Sequence, residues 1–245
     1  KTATDALKKK TEPEFISSMI EKYKLEDRTS ESVFSIDSKE TSDYDDAFSI
    51  MKIGDNAYKL SIYIANVPIW MEELDLWNSF SDRISTIYLP DRKRPMMPAS
   101  LSNCVCSLCE KVVRLAFAID ITIINGEIIG YKFENTYINV YKNHVYESKE
   151  MKKDDNYKLM FHVVDELSQI YKYTSKIKSS HDLVSYLMIL MNYYTALEMT
   201  KHNNGIYRSV NFKSSTEEHT TLPEDVNNFL KIWNSSCGQY DLYDE

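Results

Sequence analysis

The chain has 245 residues, of which 43% are apolar and 27% are charged, a composition typical of a globular protein that buries a substantial core in one or two domains. Its formal net charge of −8 argues against a protein that binds nucleic acid non-specifically over its whole surface, so a polyanionic partner would need local basic patches or a metal. No apolar run approaches the roughly 18 residues of a membrane span, and the amino terminus has no hydrophobic signal core. We therefore expect an intracellular, soluble protein without a membrane partner, either cytoplasmic or nuclear or organellar.

The first part of the chain predicts a helix, a polar connection, a short strand and a β-hairpin. Apolar residues recur at helical spacing before residue 24, and two alternating runs flank Gly54-Asp-Asn56, a typical hairpin turn. The predicted elements are a helix over residues 1–24, a connection over 25–34, a strand over 34–37, and hairpin strands over 47–53 and 58–67.

The rest of the chain predicts an irregular segment, a second hairpin and then helices. Residues 82–113 are rich in Pro, Ser and Asn, yet apolar enough to line a site. Residues 115–123 and 127–140 alternate around Asn125-Gly126, a type I′ turn signal. Helices are predicted at about 156–177, 181–202 and 223–236, the second of them ended by Gly205.

Strands first and helices later indicate an α+β fold with a mixed, mainly antiparallel sheet followed and flanked by helices. We predict an N-terminal helix and connection over residues 1–33 and one larger domain over 34–245. That domain would be β-rich over 34–147 and helical over 156–245.

Four aspartates fall within ten residues between the first two predicted strands: Asp37, Asp43, Asp45 and Asp46. Carboxylates this close raise one another's pKa unless a positive charge lies between them. Hard oxygen ligands suit Mg²⁺ or, as the alternative, Mn²⁺. The charge of −4 would be neutralised by two divalent cations, a recurrent device for phosphodiester hydrolysis.

The alternative for this cluster is a solvated acidic turn. The apolar run 47–51, which follows at once, argues against it by placing the last carboxylate at the mouth of a buried strand. An EF-hand starting at Asp43 is excluded, because its required Gly and Glu positions hold Phe48 and Gly54. Three cysteines are clustered at Cys104, Cys106 and Cys109, but Cys237 lies far away and no second C-x₂-C pair completes a zinc site. We therefore expect reduced thiols, with a structural zinc site as the weaker alternative.

With the segments placed, the sequence resembles the catalytic domain of the ribonuclease II/R (RNB) exoribonucleases. The matching pieces occur in the family's order and extend over residues 35–210. They are Ser35-Ile-Asp37, residues 42–47, residues 60–67, residues 85–92 with 94–98, Leu101-Ser-Asn103, Cys106-Ser-Leu108, Arg114-Leu-Ala-Phe117, Asn192 and Ile206-Tyr-Arg208.

The resemblance implies a hydrolytic 3′→5′ exoribonuclease that takes single-stranded RNA and releases nucleoside 5′-monophosphates. It implies that Asp37 and Asp46 are the main Mg²⁺ ligands and that Asp43 and Asp45 complete the site. It also implies that the terminal base stacks on Tyr88, which fits an enzyme that must accept every base. Further RNA contacts are expected from Arg92, Arg94, Asn103 and Arg208.

Several of these residues have ordinary alternatives. Tyr88 could be a core residue, and the basic run 92–94 could be a solvated loop instead of a phosphate contact. A surface salt bridge would explain Arg208 equally well. No histidine spacing indicates a metal site or a general base.

The sequence also departs from the family pattern. Asn66 stands where the family has Asp, and Val210 stands where His commonly follows the Tyr-Arg pair. The family's S-P-I-R-R-Y-x-D-L stretch does not occur before Glu245. We therefore expect a domain lacking its C-terminal part, with another chain or a missing segment completing the active site. The alternative function is an RNB-derived RNA-binding or scaffolding subunit without turnover, and a weaker one is a hydrolase of other phosphate esters.

Overall fold

The computed structural model describes residues 13–78, 86–89, 93–174, 176–211, 223 and 237–243. The chain divides into two compact units, Lys1–Ile189 and Leu190–Glu245, which are described separately below. Among the described residues, no helix is long and apolar enough to span a membrane.

The described residues of the first unit form three complete helices, the first part of a fourth, seven strands and two short helical turns. The helices are α1 (Pro13–Tyr23), α2 (Val67–Glu73), α3 (Asp155–Ile170) and the first part of α4 (Ser180–Lys201). The strands are β1 (Glu26–Asp37), β2 (Asp46–Gly54), β3 (Ala57–Ala65), β4 (Ile87–Tyr88), β5 (Lys93–Arg94), β6 (Val113–Ile124) and β7 (Glu127–Val145). A π-helical turn covers Leu101–Val105, and a 3₁₀ turn covers Met151–Lys153.

Five of the strands form a closed barrel in the order β1-β2-β3-β6-β7. Every neighbouring pair is antiparallel except β1 and β7, whose parallel pairing closes the barrel. A small five-stranded barrel with flanking helices is an OB-like α+β fold, so the predicted fold class is confirmed.

Both predicted hairpins are confirmed, because the turn residues adopt the backbone conformation that such turns need. Asn56 has φ +49° at the β2–β3 turn, and Asn125 and Gly126 have φ +51° and +80° between β6 and β7. Two consecutive positive φ angles define a type I′ turn, which matches the twist of the strands it joins.

The prediction that residues 25–34 form a connection was wrong. Strand β1 begins at Glu26, eight residues before the predicted start of the strand at Phe34. Its first half reads as a polar loop because it carries charged residues, including Arg28 and Glu31. The proposed division of the chain at residue 34 stays a prediction.

Those charges lie inside the barrel and neutralise one another. The Arg28 guanidinium is 2.6 Å from Asp120 Oδ2 and 2.7 Å from Glu31 Oε1, which also lies 2.7 Å from Lys59 Nζ. Tyr63 donates to Glu31 Oε2 at 2.9 Å. Because β1 does not neighbour β3 or β6 in the sheet, these contacts cross the interior of the barrel. A buried charge is tolerated only when it is paired in this way.

Apolar side chains outside this network pack helices onto the barrel. One cluster joins α1, α2 and the segment 101–108 to the sheet, with Met19, Leu25, Trp70, Leu101, Leu108 and Leu115 buried. On α3, which contacts β2, the buried residues recur at helical spacing: Met160, Val163, Val164 and Leu167. Helix α3 ends at Ile170, seven residues earlier than predicted, because Tyr171 leaves the helical conformation (φ −99°, ψ 87°).

The second unit contains the end of α4 and an antiparallel pair, β8 (Ile206–Asn211) and β9 (Cys237–Leu242). The α4 prediction is confirmed, and the chain turns into β8 at Gly205, whose φ of +138° disfavours any side chain. The helix predicted over 223–236 lies outside the described residues, apart from Pro223.

Candidate active site

The acidic residues lie where strands β1 and β2 meet. Asp37 is the last residue of β1, and Asp46 is the first residue of β2. Phe34 pairs with Phe48 across the two antiparallel strands, which places the end of β1 beside the start of β2. The intervening loop therefore returns Asp45 and Asp46 to the side of Asp37.

Burial and mutual repulsion favour the protonated form of two of these carboxyls. Burial raises the pKa of Asp37, and the negative charges of Asp45 and Asp43 raise it further. A hydrogen bond from Ser35 acts in the opposite direction, and the resulting pKa of Asp37 is about 6. Burial together with the charges of Asp37 and Asp45 raises the pKa of Asp46 to about 7. Asp37 therefore lies within electrostatic reach of Asp43 and Asp45, and Asp46 within reach of Asp37 and Asp45.

Backbone and side-chain hydrogen bonds from the segment 101–108 hold the aspartate loop in place. The Tyr44 backbone N–H donates to Ser107 Oγ at 2.9 Å, and the Leu108 N–H donates to the Tyr44 carbonyl at 2.8 Å. Asn103 Nδ2 donates to Ser42 Oγ at 3.1 Å. Asn103 therefore supports the loop, and its predicted contact with RNA stays a prediction.

Asn143 on β7 is a supporting residue that the sequence did not reveal. Ser35 Oγ donates to Asp37 Oδ2 at 2.7 Å, and Asn143 Nδ2 donates to Ser35 Oγ at 2.8 Å and to the Leu108 carbonyl at 3.0 Å. Asn143 thus ties β1 and the segment 101–108 together directly behind Asp37. It is opposite Ser35 only because β1 and β7 pair in parallel, more than 100 residues apart.

We expect Asn143→Ala to lower the free energy of unfolding by about 1–2 kcal/mol, because the buried groups it serves lose their partners. Urea unfolding followed by circular dichroism measures this change. Asn139→Ala on the same strand is the matched control, since the Asn139 Oδ1 atom is buried and accepts no hydrogen bond from any residue that the structure describes. A loss in the control as large as in Asn143→Ala would contradict the supporting role.

Tyr146 is a second residue that the sequence did not single out. Its backbone N–H donates to the Asp37 carbonyl at 3.0 Å, and burial with the charges of Asp46 and Asp37 raises its pKa to about 12. Its ring stacks on His181, with centroids 3.7 Å apart and planes 11° from parallel. A neutral phenol and an aromatic pair therefore border the acidic cluster.

The donor chemistry of the cluster fits a divalent cation. Asp46 Oδ2 is buried and has no hydrogen-bond partner within the described part of the chain, an arrangement that calls for a cation or a donor. Carboxylate oxygens are the ligands that Mg²⁺ and Mn²⁺ prefer. Across the part of the chain that the structure describes, no three His, Cys, Asp or Glu side chains are already arranged as a metal-ligand set. The metal assignment of Asp37, Asp43, Asp45 and Asp46 therefore stays a prediction.

The predicted RNA contacts are only partly described. Tyr88 lies on β4, opposite Lys93 of β5, but its side chain is outside the described part, as is the whole of Arg92. Arg94 is exposed on β5. In the second unit Arg208 is exposed on β8, and it lines a cavity of about 550 Å³ together with Asn192 and Tyr240.

The comparison with known protein families decides the ancestry of this site. The sequence pattern of the RNB domain matches residues 25–177, which is more than half of the chain. The chain belongs to the RNB family. The match begins next to the first residue of β1, in agreement with the early start of that strand.

Curated relatives of this RNB chain include two bacterial enzymes named ribonuclease R. That of Mycoplasmopsis pulmonis is 38% identical over 153 residues, covering 56% of this chain and 20% of the relative. That of Thermotoga maritima is 29% identical over 150 residues, covering 57% of this chain and 21% of the relative. This chain spans about a fifth of the length of each.

Solved structures share the RNB fold at low sequence identity. Mycoplasma genitalium RNase R in complex with ribose-methylated single-stranded RNA matches with a TM-score of 0.65 and 21% identity, over 78% of this chain and 36% of that one. Yeast Ssd1, described as a pseudonuclease, matches with a TM-score of 0.70 and 10% identity, over 91% of this chain and 36% of that one. At these identities the likeness concerns the fold alone.

Proposed function

We propose that this chain carries the acidic site of a metal-dependent 3′→5′ exoribonuclease, which hydrolyses single-stranded RNA to nucleoside 5′-monophosphates. The observation that carries the proposal is the position of Asp37 and Asp46 at the adjoining ends of β1 and β2, where burial and neighbouring carboxylates raise their pKa values to about 6 and 7. Membership of the RNB family and the ribonuclease R relatives support the same activity.

Some residues of the site would bind metal, and others orient those ligands. Asp37 and Asp46, with Asp43 and Asp45, would hold Mg²⁺ or Mn²⁺. When bound, such ions supply an activated water and neutralise negative charge on the phosphate under attack. Ser35 and Asn143 keep the Asp37 carboxylate oriented by the chain of hydrogen bonds described above. Because Asp37 and Asp46 must release protons to bind a cation, metal affinity should rise with pH through the range 6–7.

RNA as the substrate is supported by the fold and by the chemistry of the predicted contacts. The RNase R of Mycoplasma genitalium has been solved with single-stranded and with double-stranded RNA. In the present chain, exposed Arg94 and Arg208 can contact phosphate groups, and Tyr88 supplies the ring for base stacking.

The direct test uses a 5′-labelled single-stranded RNA incubated with the purified chain, first with Mg²⁺ and then with EDTA. We expect a ladder of products that shortens from the 3′ end with Mg²⁺ and is absent with EDTA. The released product should be a nucleoside 5′-monophosphate, which thin-layer chromatography distinguishes from the 3′-monophosphate. A ladder that persists in EDTA, or internal cuts without a 3′ ladder, would contradict the proposal.

The second candidate function is RNA binding without turnover. Its support is the likeness of the fold to yeast Ssd1, described as a pseudonuclease. The four aspartates favour the nuclease, because carboxylates that repel one another destabilise the fold and have no use in a site that has lost catalysis. RNA that is retained in a filter-binding assay yet stays intact with Mg²⁺ would favour the binding subunit.

A further inference from the structure

A cavity of about 380 Å³ lies in the first unit, outside the acidic cluster. Its walls come from α3 between Tyr157 and Asp165, from Glu147 and the 3₁₀ turn before that helix, and from the residues that lead into α4. None of the four aspartates lines it. Its volume falls within the ~300–1,000 Å³ typical of small-molecule sites.

Three lysine side chains line this cavity: Lys152, Lys158 and Lys178. Lys152 Nζ lies 2.7 Å from Glu147 Oε2, but Glu147 Oε1 also accepts from the backbone N–H and the hydroxyl of Ser180, each at 2.7 Å. Glu147 would therefore keep its own hydrogen bonds if Lys152 turned to another anion. Lys158 pairs with Asp155 at 2.7 Å on the surface, and such exposed pairs exchange partners at little cost.

Two aromatic rings form an apolar wall of the same cavity. The Tyr157 and Phe161 centroids are 5.9 Å apart, with their planes at 51°. Burial and the nearby charge of Glu147 raise the pKa of Tyr157 to about 12, so the ring stays a neutral phenol. Flat rings beside ammonium groups suit a ligand that has both a π-face and a negative charge.

Asp165 adds an unsatisfied acceptor to this wall. Its Oδ1 atom is buried and has no hydrogen-bond partner among the described residues. A buried carboxylate oxygen without a partner costs free energy, so its presence in a native protein indicates that a bound partner completes the site. Once the Asp165 side chain turns this oxygen toward the cavity, a ligand bearing an N–H or O–H group would supply the missing donor.

We propose that this cavity is a binding site for a single nucleotide. Its phosphate would contact Lys152, Lys158 and Lys178, its base would pack on Tyr157 and Phe161, and an amino or hydroxyl group would donate to Asp165. A free nucleoside 5′-monophosphate and one nucleotide of an RNA strand share this chemistry. The site does not depend on the nuclease function proposed above.

The test is equilibrium binding of AMP to the purified chain in EDTA, measured by isothermal titration calorimetry. We expect saturable binding with a Kd below about 1 mM, and at least about tenfold weaker binding of adenosine and of inorganic phosphate alone. Lys158→Gln/Lys178→Gln should weaken AMP binding at least about tenfold, because charge-assisted hydrogen bonds are lost. Phe161→Leu should weaken it about fivefold through lost stacking.

The matched control is Lys149→Gln/Lys172→Gln, which removes the same charge from exposed lysines outside the cavity and should leave the Kd within about twofold. Asp46→Asn should also bind AMP unchanged, which separates this site from the acidic cluster. A single-stranded tetranucleotide tests whether the site binds one nucleotide of an RNA strand. If it binds more tightly than AMP, and if Lys158→Gln/Lys178→Gln weakens it equally, the site is assigned to an RNA strand. Failure of both ligands to saturate, or an equal loss in the control variant, would overturn the proposal.

Discussion

Asp45→Asn is expected to lower the rate of RNA hydrolysis by about 10²–10³-fold or more, the loss typical of removing a preorganised charged group from an active site. Asp45 directly precedes β2, and its charge contributes to the raised pKa of both Asp37 and Asp46. The asparagine side chain has the same shape, and the backbone carbonyl of residue 45 still accepts the Ala65 N–H at 2.9 Å, so the loop keeps its conformation. The substitution removes only the negative charge that binds cations. RNA affinity and the fold should change little.

The rate is measured on the labelled RNA with Mg²⁺, and Mn²⁺ affinity by electron paramagnetic resonance gives a readout independent of turnover. We expect Asp45→Asn to weaken Mn²⁺ binding at least about tenfold, because one hard anionic ligand is removed. Asp55→Asn is the matched control, since Asp55 is exposed at the turn of the first hairpin. An unchanged hydrolysis rate with unchanged Mn²⁺ affinity in Asp45→Asn would refute the metal-site assignment.

The second large effect concerns stability in the absence of metal. The pKa of Asp46 is about 7 in the folded chain against 3.8 for an ordinary carboxyl, so the folded state holds a proton between these values that the unfolded state has lost. This contribution to stability is complete below pH 4 and disappears as the pH rises through 7. In EDTA, the free energy of unfolding should therefore fall between pH 5 and pH 8. Asp46→Asn should remove much of that fall.

At pH 8 in EDTA we expect Asp46→Asn to be more stable than the parent chain by about 2–4 kcal/mol, while at pH 5 the two should differ by less. Urea unfolding at the two pH values measures this, with Asp55→Asn as a control whose stability should follow that of the parent. Adding Mg²⁺ at pH 8 should stabilise the parent chain and leave Asp46→Asn almost unchanged, since a ligand stabilises only the state that binds it. Equal pH dependence in the parent chain and Asp46→Asn would show that Asp46 is not a buried, repelled carboxyl.

The sequence alone was sufficient wherever the decisive interactions are local. Residues adjacent in the sequence determine the type I′ turn at Asn125-Gly126 and the alternating strands around it. The same is true of the four aspartates in one loop. Ordered motifs over residues 35–210 also predicted the RNB family, which the match over residues 25–177 confirms. Family motifs persist because each piece serves a site that the whole fold assembles, so several in order are specific where one is not.

Only the tertiary structure decided what depends on residues distant in the chain. The first half of β1 has the charge pattern of a loop and is a strand because Asp120 and Lys59, far along the sequence, neutralise Arg28 and Glu31 inside the barrel. Asn143 and Tyr146 reach Asp37 only through the parallel pairing of β1 with β7, which no local pattern encodes. The sequence by itself therefore determined the family, the hairpins and the acidic loop. The closing of the barrel determined which residues surround that loop, because contacts across a barrel join residues that the sequence separates.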